Sequence, residues 1–114
     1  MKIKNNLFLQ IKTKENVLFV RKIFLEETIN FQSNIIFATY YKGNVIVVEE
    51  FKNRISFLSL DGYKILETLE FNINSSIRMV KFINLKIEDV LVIKVFYNDS
   101  KIKNFVVNKN GFII

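Results

Sequence analysis

The 114-residue chain contains no cysteine and no histidine. Without cysteine it can form neither a disulfide framework nor a Cys-based zinc site. The lack of histidine removes the commonest general base and the commonest metal ligand. We therefore predict that the protein is not an enzyme, and we expect no catalytic residue, no metal and no cofactor.

Proline is also absent, and there are only three glycines. Short hairpin turns are therefore expected in place of long surface loops, and the glycines are too few and too far apart for a phosphate-binding loop. No apolar run approaches the roughly 18 residues of a membrane span, and the amino-terminal segment has no sustained apolar region typical of a signal peptide. These features predict a soluble, cytoplasmic protein, unless the chain is a fragment of a larger one.

Apolar residues make up 50% of the chain and aromatic residues 14%, which is enough for one domain with a real core. Isoleucine, valine and phenylalanine dominate this set, and such residues suit a pleated sheet. The only alanine is Ala38, which argues against a helical bundle. Turn signals at regular spacing predict about ten or eleven short strands and an all-β fold. A helix over residues 64–71 is a minor alternative.

The stretch Gly43–Gly62 shows the pattern most clearly. An alternating apolar strand is followed by a polar turn over 50–53, a second strand and a closing Asp-Gly pair. The chain also resembles itself at a shift of roughly 40 residues, a spacing typical of propeller blades; Glu27–Phe31, for example, is similar to Glu67–Phe71. Three units follow from this repeat, at 5–31, 35–71 and 77–114, with three, four and four strands.

These residues resemble an NHL-type β-propeller repeat. The positions that match are Gly43, Val45, Val47, Glu49, Asn53, Arg54, Ile55, Phe57, Asp61 and Gly62. The acidic position, usually Asp in that family, is Glu49 or Glu50 here. The resemblance implies an antiparallel meander of four-stranded blades, about 2.75 of them. It also implies a structural motif in which Arg54 meets one of these glutamates, with Glu49, Asn53, Arg54, Asp61 and Gly62 as its residues.

A closed propeller needs at least about four blades, more than this chain supplies. The chain is therefore a segment of a larger propeller, or closes a ring with itself or a partner, or curls into a small β-barrel or an open stack of sheets. An unclosed stack exposes strand edges and apolar faces. We therefore expect either self-association into a homo-oligomer or a protein partner.

The leading functional hypothesis is a non-enzymatic module for protein–protein interaction or self-assembly. A basic β-domain that binds nucleic acid is the second, because the net charge is +6 and basic residues alternate with aromatic ones. A ligand carrier or an enzyme with a barrel cavity comes third. The acidic pairs Glu26-Glu27, Glu49-Glu50 and Glu88-Asp89 are not expected to form acid/base dyads, since neighbours on a strand face opposite ways. They are expected to be solvated at turns or strand edges. The candidate interaction surface comprises Arg21, Lys22, Tyr40, Tyr41 and Lys42, with the two tyrosines as exposed aromatic contacts.

Overall fold

A computed structural model describes residues 4–5, 9–50, 54–70 and 75–113, which form twelve strands and no helix. No helix in this part of the chain has the length and hydrophobicity needed to cross a membrane. The first sheet contains β1 (Lys4–Asn5), β2 (Leu9–Lys14), β3 (Val17–Lys22) and β4 (Glu26–Asn30). The second contains β5 (Ile35–Tyr41), β6 (Asn44–Glu49), β7 (Ile55–Ser59) and β8 (Lys64–Leu69). The third contains β9 (Ile77–Leu85), β10 (Val90–Tyr97), β11 (Ile102–Asn108) and β12 (Gly111–Ile113).

Each sheet is an antiparallel meander in which strands follow one another in chain order. The predicted all-β fold of four-stranded units is confirmed. The first unit has four strands where three were predicted, because Lys4 pairs with Ile11 and adds β1 at the edge. The alternative helix over 64–71 is wrong, since β8 occupies residues 64–69 of that stretch. The described strands form three separate sheets and do not close into the small barrel that was the alternative architecture.

Tight turns hold these meanders together. Between β5 and β6, Tyr41 pairs with Asn44, and only Lys42 and Gly43 lie in the loop. Both loop residues have positive φ, 48° and 84° respectively, as the favoured two-residue hairpin turn requires. Glycine adopts this conformation without steric cost.

The second sheet lies between the other two, and β6 is its most buried strand. Val45 and Val47 pack toward the first sheet, while Ile46 and Val48 pack toward the third; all four are fully buried. Alternation of side chains along a strand explains why one apolar run can serve two cores. Burying each such side chain contributes roughly 1.5–3 kcal/mol, so stacking on both faces stabilises this strand most.

The two cores have different partners. Toward the first sheet the core adds Ile11, Leu18, Val20, Phe31, Ala38, Leu58 and Leu60. Toward the third sheet it adds Tyr41, Ile55, Phe57, Val80, Leu91, Ile93, Val95, Tyr97 and Val107. Phe37 and Phe82 meet edge to face at the rim of the second core, with ring centroids 5.1 Å apart.

One apolar run is divided differently from its sequence pattern. In the sequence, residues 17–25 form an apolar stretch with Arg21 and Lys22 in its middle, but in the structure β3 ends at Lys22 and a tight turn follows. The backbone N–H of Lys22 donates to the Leu25 carbonyl at 2.7 Å, and the Leu25 N–H returns a bond to Lys22 at 3.3 Å. Ile23 and Phe24 therefore occupy the tip of the β3–β4 hairpin, where Gly, Asn and Asp are the usual residues.

Candidate interaction surfaces

The predicted surface residues divide between three places in the fold. Arg21 is exposed on the side of β3 that faces away from the second sheet, directly opposite Glu26. Lys22 ends the same strand; its Nζ donates to the Leu60 carbonyl at 3.3 Å and lies 5.2 Å from the ring centroid of Tyr63. Tyr40 is half-buried and lies beside Lys22 in a groove.

Tyr41 is not the exposed aromatic contact that was predicted. Its side chain is buried in the core between the second and third sheets, and its hydroxyl donates to the Asp89 carbonyl at 3.3 Å. Lys42, beside it, forms an ion pair with the Asp89 carboxylate. These contacts join the β5–β6 turn to the β9–β10 turn, so this part of the predicted surface is structural.

The groove that contains Lys22 and Tyr40 has a volume of about 550 Å³. The β3–β4 tip stands at its rim, where Ile23, Phe24 and Leu25 are 55%, 94% and 64% exposed. Three consecutive exposed apolar side chains at a turn are unusual, because turns normally carry polar residues. The remaining lining residues are Leu9, Gly43 and Leu60.

Arg54 and Glu49 make the contact that the repeat pattern implies. Arg54 Nη1 lies 3.7 Å from Glu49 Oε1, and the Glu49 backbone N–H donates to the Arg54 carbonyl at 2.7 Å. Arg54 binds Glu70 more closely, with Nη2 2.7 Å from Oε1, and donates to Gln32 at 2.9 Å. The guanidinium therefore ties the start of β7 to the end of β8 and to the β4–β5 connection.

Glu49 is buried, although the acidic pairs were expected to be solvated. Its Oε2 accepts hydrogen bonds from the backbone N–H of Ser33 at 3.1 Å and from the Ser33 hydroxyl at 3.3 Å. The other five residues of these pairs are exposed as expected: Glu50, Glu26, Glu27, Glu88 and Asp89. A buried carboxylate needs such partners to offset its desolvation, and this arrangement is structural.

Two of the remaining motif residues lie at one turn. Asp61 and Gly62 lie in the β7–β8 turn, where the Asp61 N–H binds the Ser59 hydroxyl at 3.1 Å and Gly62 has φ of 87°. Asn53 lies outside the described residues.

The space enclosed between the sheets is small. A cavity of about 180 Å³ is lined by Tyr40, Tyr41, Phe82, Asn84 and neighbouring apolar residues. Pockets for small organic ligands usually occupy about 300–1,000 Å³; this cavity is smaller than that range, whereas the groove that contains Lys22 and Tyr40 lies within it. Within the described ranges, no three acidic side chains come together as a metal site.

Tyr97 is the one buried side chain in the described part of the chain whose polar atom lacks a hydrogen-bond partner. Its hydroxyl lies in the core between the second and third sheets. Burial raises the pKa of the Tyr97 phenol above its ordinary value, and the negative charge of Asp99 adds to this rise. The phenol is therefore held in its neutral form.

The two end sheets differ in the faces they turn away from the second sheet. In the first sheet, Ile11, Leu18 and Val20 point inward. The outer face is therefore formed by the side chains that alternate with these residues on β2, β3 and β4. Its cross-strand rows are largely polar or basic: Gln10–Arg21–Glu26, Lys12–Phe19–Thr28 and Lys14–Val17–Asn30.

The third sheet turns an apolar face outward. Leu91, Ile93, Val95 and Tyr97 of β10 are buried inward, so the alternate side chains form what we call the third-sheet outer face. Four cross-strand rows compose it: Leu85–Val90, Ile83–Val92–Val106–Ile113, Lys81–Lys94–Asn104 and Met79–Phe96–Ile102. Met79, Ile83, Leu85, Ile102 and Ile113 are between 36% and 52% exposed. None of the described residues covers this face.

Sequence reasoning missed both apolar surfaces. The turn at Ile23 and Phe24 carries no glycine or asparagine to mark it. The third-sheet outer face had a signal in the run Val90–Phe96, which is apolar on both sides apart from Lys94. That run matches the doubly covered β6 in composition, but among the described strands it has a neighbouring sheet on one side only.

Comparison with protein-family models, with curated proteins and with solved structures finds no match to this chain.

Proposed function

We propose that this protein is a non-enzymatic interaction module that binds another protein, or a further copy of itself, by adding a sheet to its stack. The observation that carries this proposal is the third-sheet outer face. Like the strands of the second sheet, β10 carries apolar side chains on both faces, but no other described residue covers its outer face. Sheets that stack in this way lie about 10 Å apart with interdigitated side chains.

The size of the face supports docking. Four strands about 4.8 Å apart and on average roughly six residues long give the whole face an area of about 400 Å². Three of its four rows are apolar, and exposed apolar surface of this order often marks an interaction site. The propeller-type repeat remains part of the proposal, since a blade is a sheet that needs neighbours on both sides.

A matched pair of variants tests this function. Val92 lies on the outer face of the central strand β10, and Val17 lies on the outer face of the central strand β3. We expect Val92→Lys to abolish association and Val17→Lys to leave it unchanged, because a lysine in the stacking face must be desolvated. Sedimentation velocity measures self-assembly, and co-purification from the native cells measures a stoichiometric partner. A Val92→Lys protein with the mass and the partners of the unaltered chain contradicts the proposal.

A further inference from the structure

We infer that the third-sheet outer face recognises a partner protein whose apolar surface carries carboxylates at its centre. This inference rests on the proposed function and names the chemistry of the partner. It depends on the row Lys81–Lys94–Asn104, which lies between the apolar rows Ile83–Val92–Val106–Ile113 and Met79–Phe96–Ile102.

The two lysines in this row are direct cross-strand neighbours. Like charges in that position destabilise a sheet. No row of the third-sheet outer face contains an aspartate or a glutamate, and neither lysine forms an ion pair with another described residue. A third cation adds to the positive charge, because the guanidinium of Arg78 and the Nζ of Lys81 each lie 5.7 Å from the ring centroid of Phe96.

The charges of this row select among occupants. Two copies that pair through this face bring four lysines together without a counter-charge, which opposes association. In a head-to-tail stack, the third-sheet outer face of one copy contacts the first sheet of the next copy. The outer face of that sheet is itself basic at Lys12 and Lys14, so this arrangement also brings like charges together. Nucleic acid has the required negative charge, but proteins bind its single strands through several aromatic rings on which the bases stack. Phe96 is the only aromatic ring in the four rows, and the aliphatic rows beside it suit a protein.

A partner with carboxylates opposite Lys81 and Lys94 satisfies all of these constraints. Its apolar side chains cover the aliphatic rows, and its carboxylates supply the missing counter-charge in a site shielded from water, where such pairs fix register and specificity. The net charge of +6 also favours encounter with an acidic surface.

A charge-swapped copy of the protein serves as the probe. In the Lys81→Glu/Lys94→Glu variant the apolar rows are kept and the central row becomes acidic, so it presents the chemistry proposed for the partner. We expect an equimolar mixture of this variant and the unaltered protein to form a 1:1 complex. The complex should be at least about tenfold tighter than either self-complex, and it should weaken as salt rises from about 50 mM to about 500 mM. Sedimentation velocity and isothermal titration calorimetry measure both effects.

Two controls assign the complex to this face. The unaltered protein with Val92→Lys added should no longer bind the swapped copy. The Lys12→Glu/Lys14→Glu variant makes the same change on the first sheet, and it should not bind the unaltered protein. Circular dichroism verifies that each variant is folded. If the swapped copy fails to fold, a disulfide-cyclised hairpin peptide gives the same test. The peptide has isoleucine at alternate positions and a glutamate at its centre, and it is compared with the same peptide carrying lysine in place of the glutamate.

Other outcomes overturn the inference. If the unaltered protein pairs with itself through Val92 as tightly as with the swapped copy, the occupant is a second copy. If it binds oligouridylate in a way that Lys81→Glu/Lys94→Glu abolishes, the occupant is nucleic acid. If neither probe binds, the row does not recognise carboxylates, while the Val92→Lys and Val17→Lys comparison still decides the proposed function independently.

Discussion

Glu49 is the only acidic side chain that is buried in the described part of the chain. It binds Ser33 and Arg54, and removal of a buried charged partner leaves donors unsatisfied. We expect Glu49→Ala to lower the free energy of unfolding by about 2–4 kcal/mol, less than for a fully isolated pair because Arg54 keeps Glu70. Chemical denaturation measures the change.

The adjacent glutamate gives the control for this prediction. Glu50 is exposed, so Glu50→Ala should change stability by no more than about 0.5 kcal/mol. Equal losses from the two variants would show that Glu49 has no special structural role.

Tyr97 gives the opposite prediction. Because its buried hydroxyl has no hydrogen-bond partner among the described residues, the folded state loses hydration there without compensation. Tyr97→Phe removes that cost and should raise the free energy of unfolding by about 1 kcal/mol. Thermal and urea unfolding at neutral pH measure this gain, and a loss of stability would show that the hydroxyl is satisfied.

The same substitution changes the pH dependence of stability. The pKa of Tyr97 is raised in the folded state, so above pH 10 the unfolded chain loses this proton while the folded chain keeps it. The unfolded state then binds fewer protons, and stability falls as pH rises from about 10 toward the raised pKa. We expect the alkaline loss to be smaller in Tyr97→Phe than in the unaltered protein.

Whether the contacts of a single residue can be predicted from the sequence depends on whether local or distant parts of the chain determine the orientation of its side chain. An acidic contact of Arg54 is what the resemblance to the NHL-type repeat implies, and the structure places Glu49 beside it. Tyr40 and Tyr41 are adjacent on one strand and must face opposite ways. Both faces of the second sheet are packed, and nothing within the dipeptide determines which tyrosine faces the third sheet and is fully buried. That choice depends on the third sheet, which supplies the Asp89 carbonyl.

At the scale of elements, the β3–β4 hairpin offers the clearest test. Phe24 is 94% exposed at its tip, so Phe24→Ser should change the free energy of unfolding by no more than about 0.5 kcal/mol. Phe57 is fully buried in the core between the second and third sheets, and Phe57→Ala should cost about 3–5 kcal/mol. Urea unfolding distinguishes the two; a large loss for Phe24→Ser would place that ring in the core.

Strands were predictable here because alternation and turn residues are local signals. Gly43 marks a turn in the sequence because glycine tolerates positive φ. The structure has positive φ at Lys42 and Gly43, and the two flanking strands begin and end at this turn. The end of β3 at Lys22 was not predictable, because Ile23 and Phe24 continue an apolar run through a turn. Apolar side chains at an exposed tip are consistent with a surface used for contact.

At the scale of the whole molecule, the stack of three sheets explains both stability and the proposed binding. Sequence composition indicates that the strands are apolar, but it does not state which faces meet. That depends on the order of the sheets, which buries both sides of β6 and leaves one side of β10 open. The propeller-type resemblance predicts such stacking in general, and the uncovered end is visible only in three dimensions.

Native-state hydrogen exchange, followed by NMR, tests this stacking most directly. Because β6 is covered on both faces, the amides of Val45–Val48 should exchange only through global unfolding and should be the slowest in the protein. The amides of β4 and β9, at the sheet edges, should exchange faster through local opening. Amides of β6 that exchange as fast as those of the edge strands, at free energies well below global unfolding, would contradict the stacked arrangement.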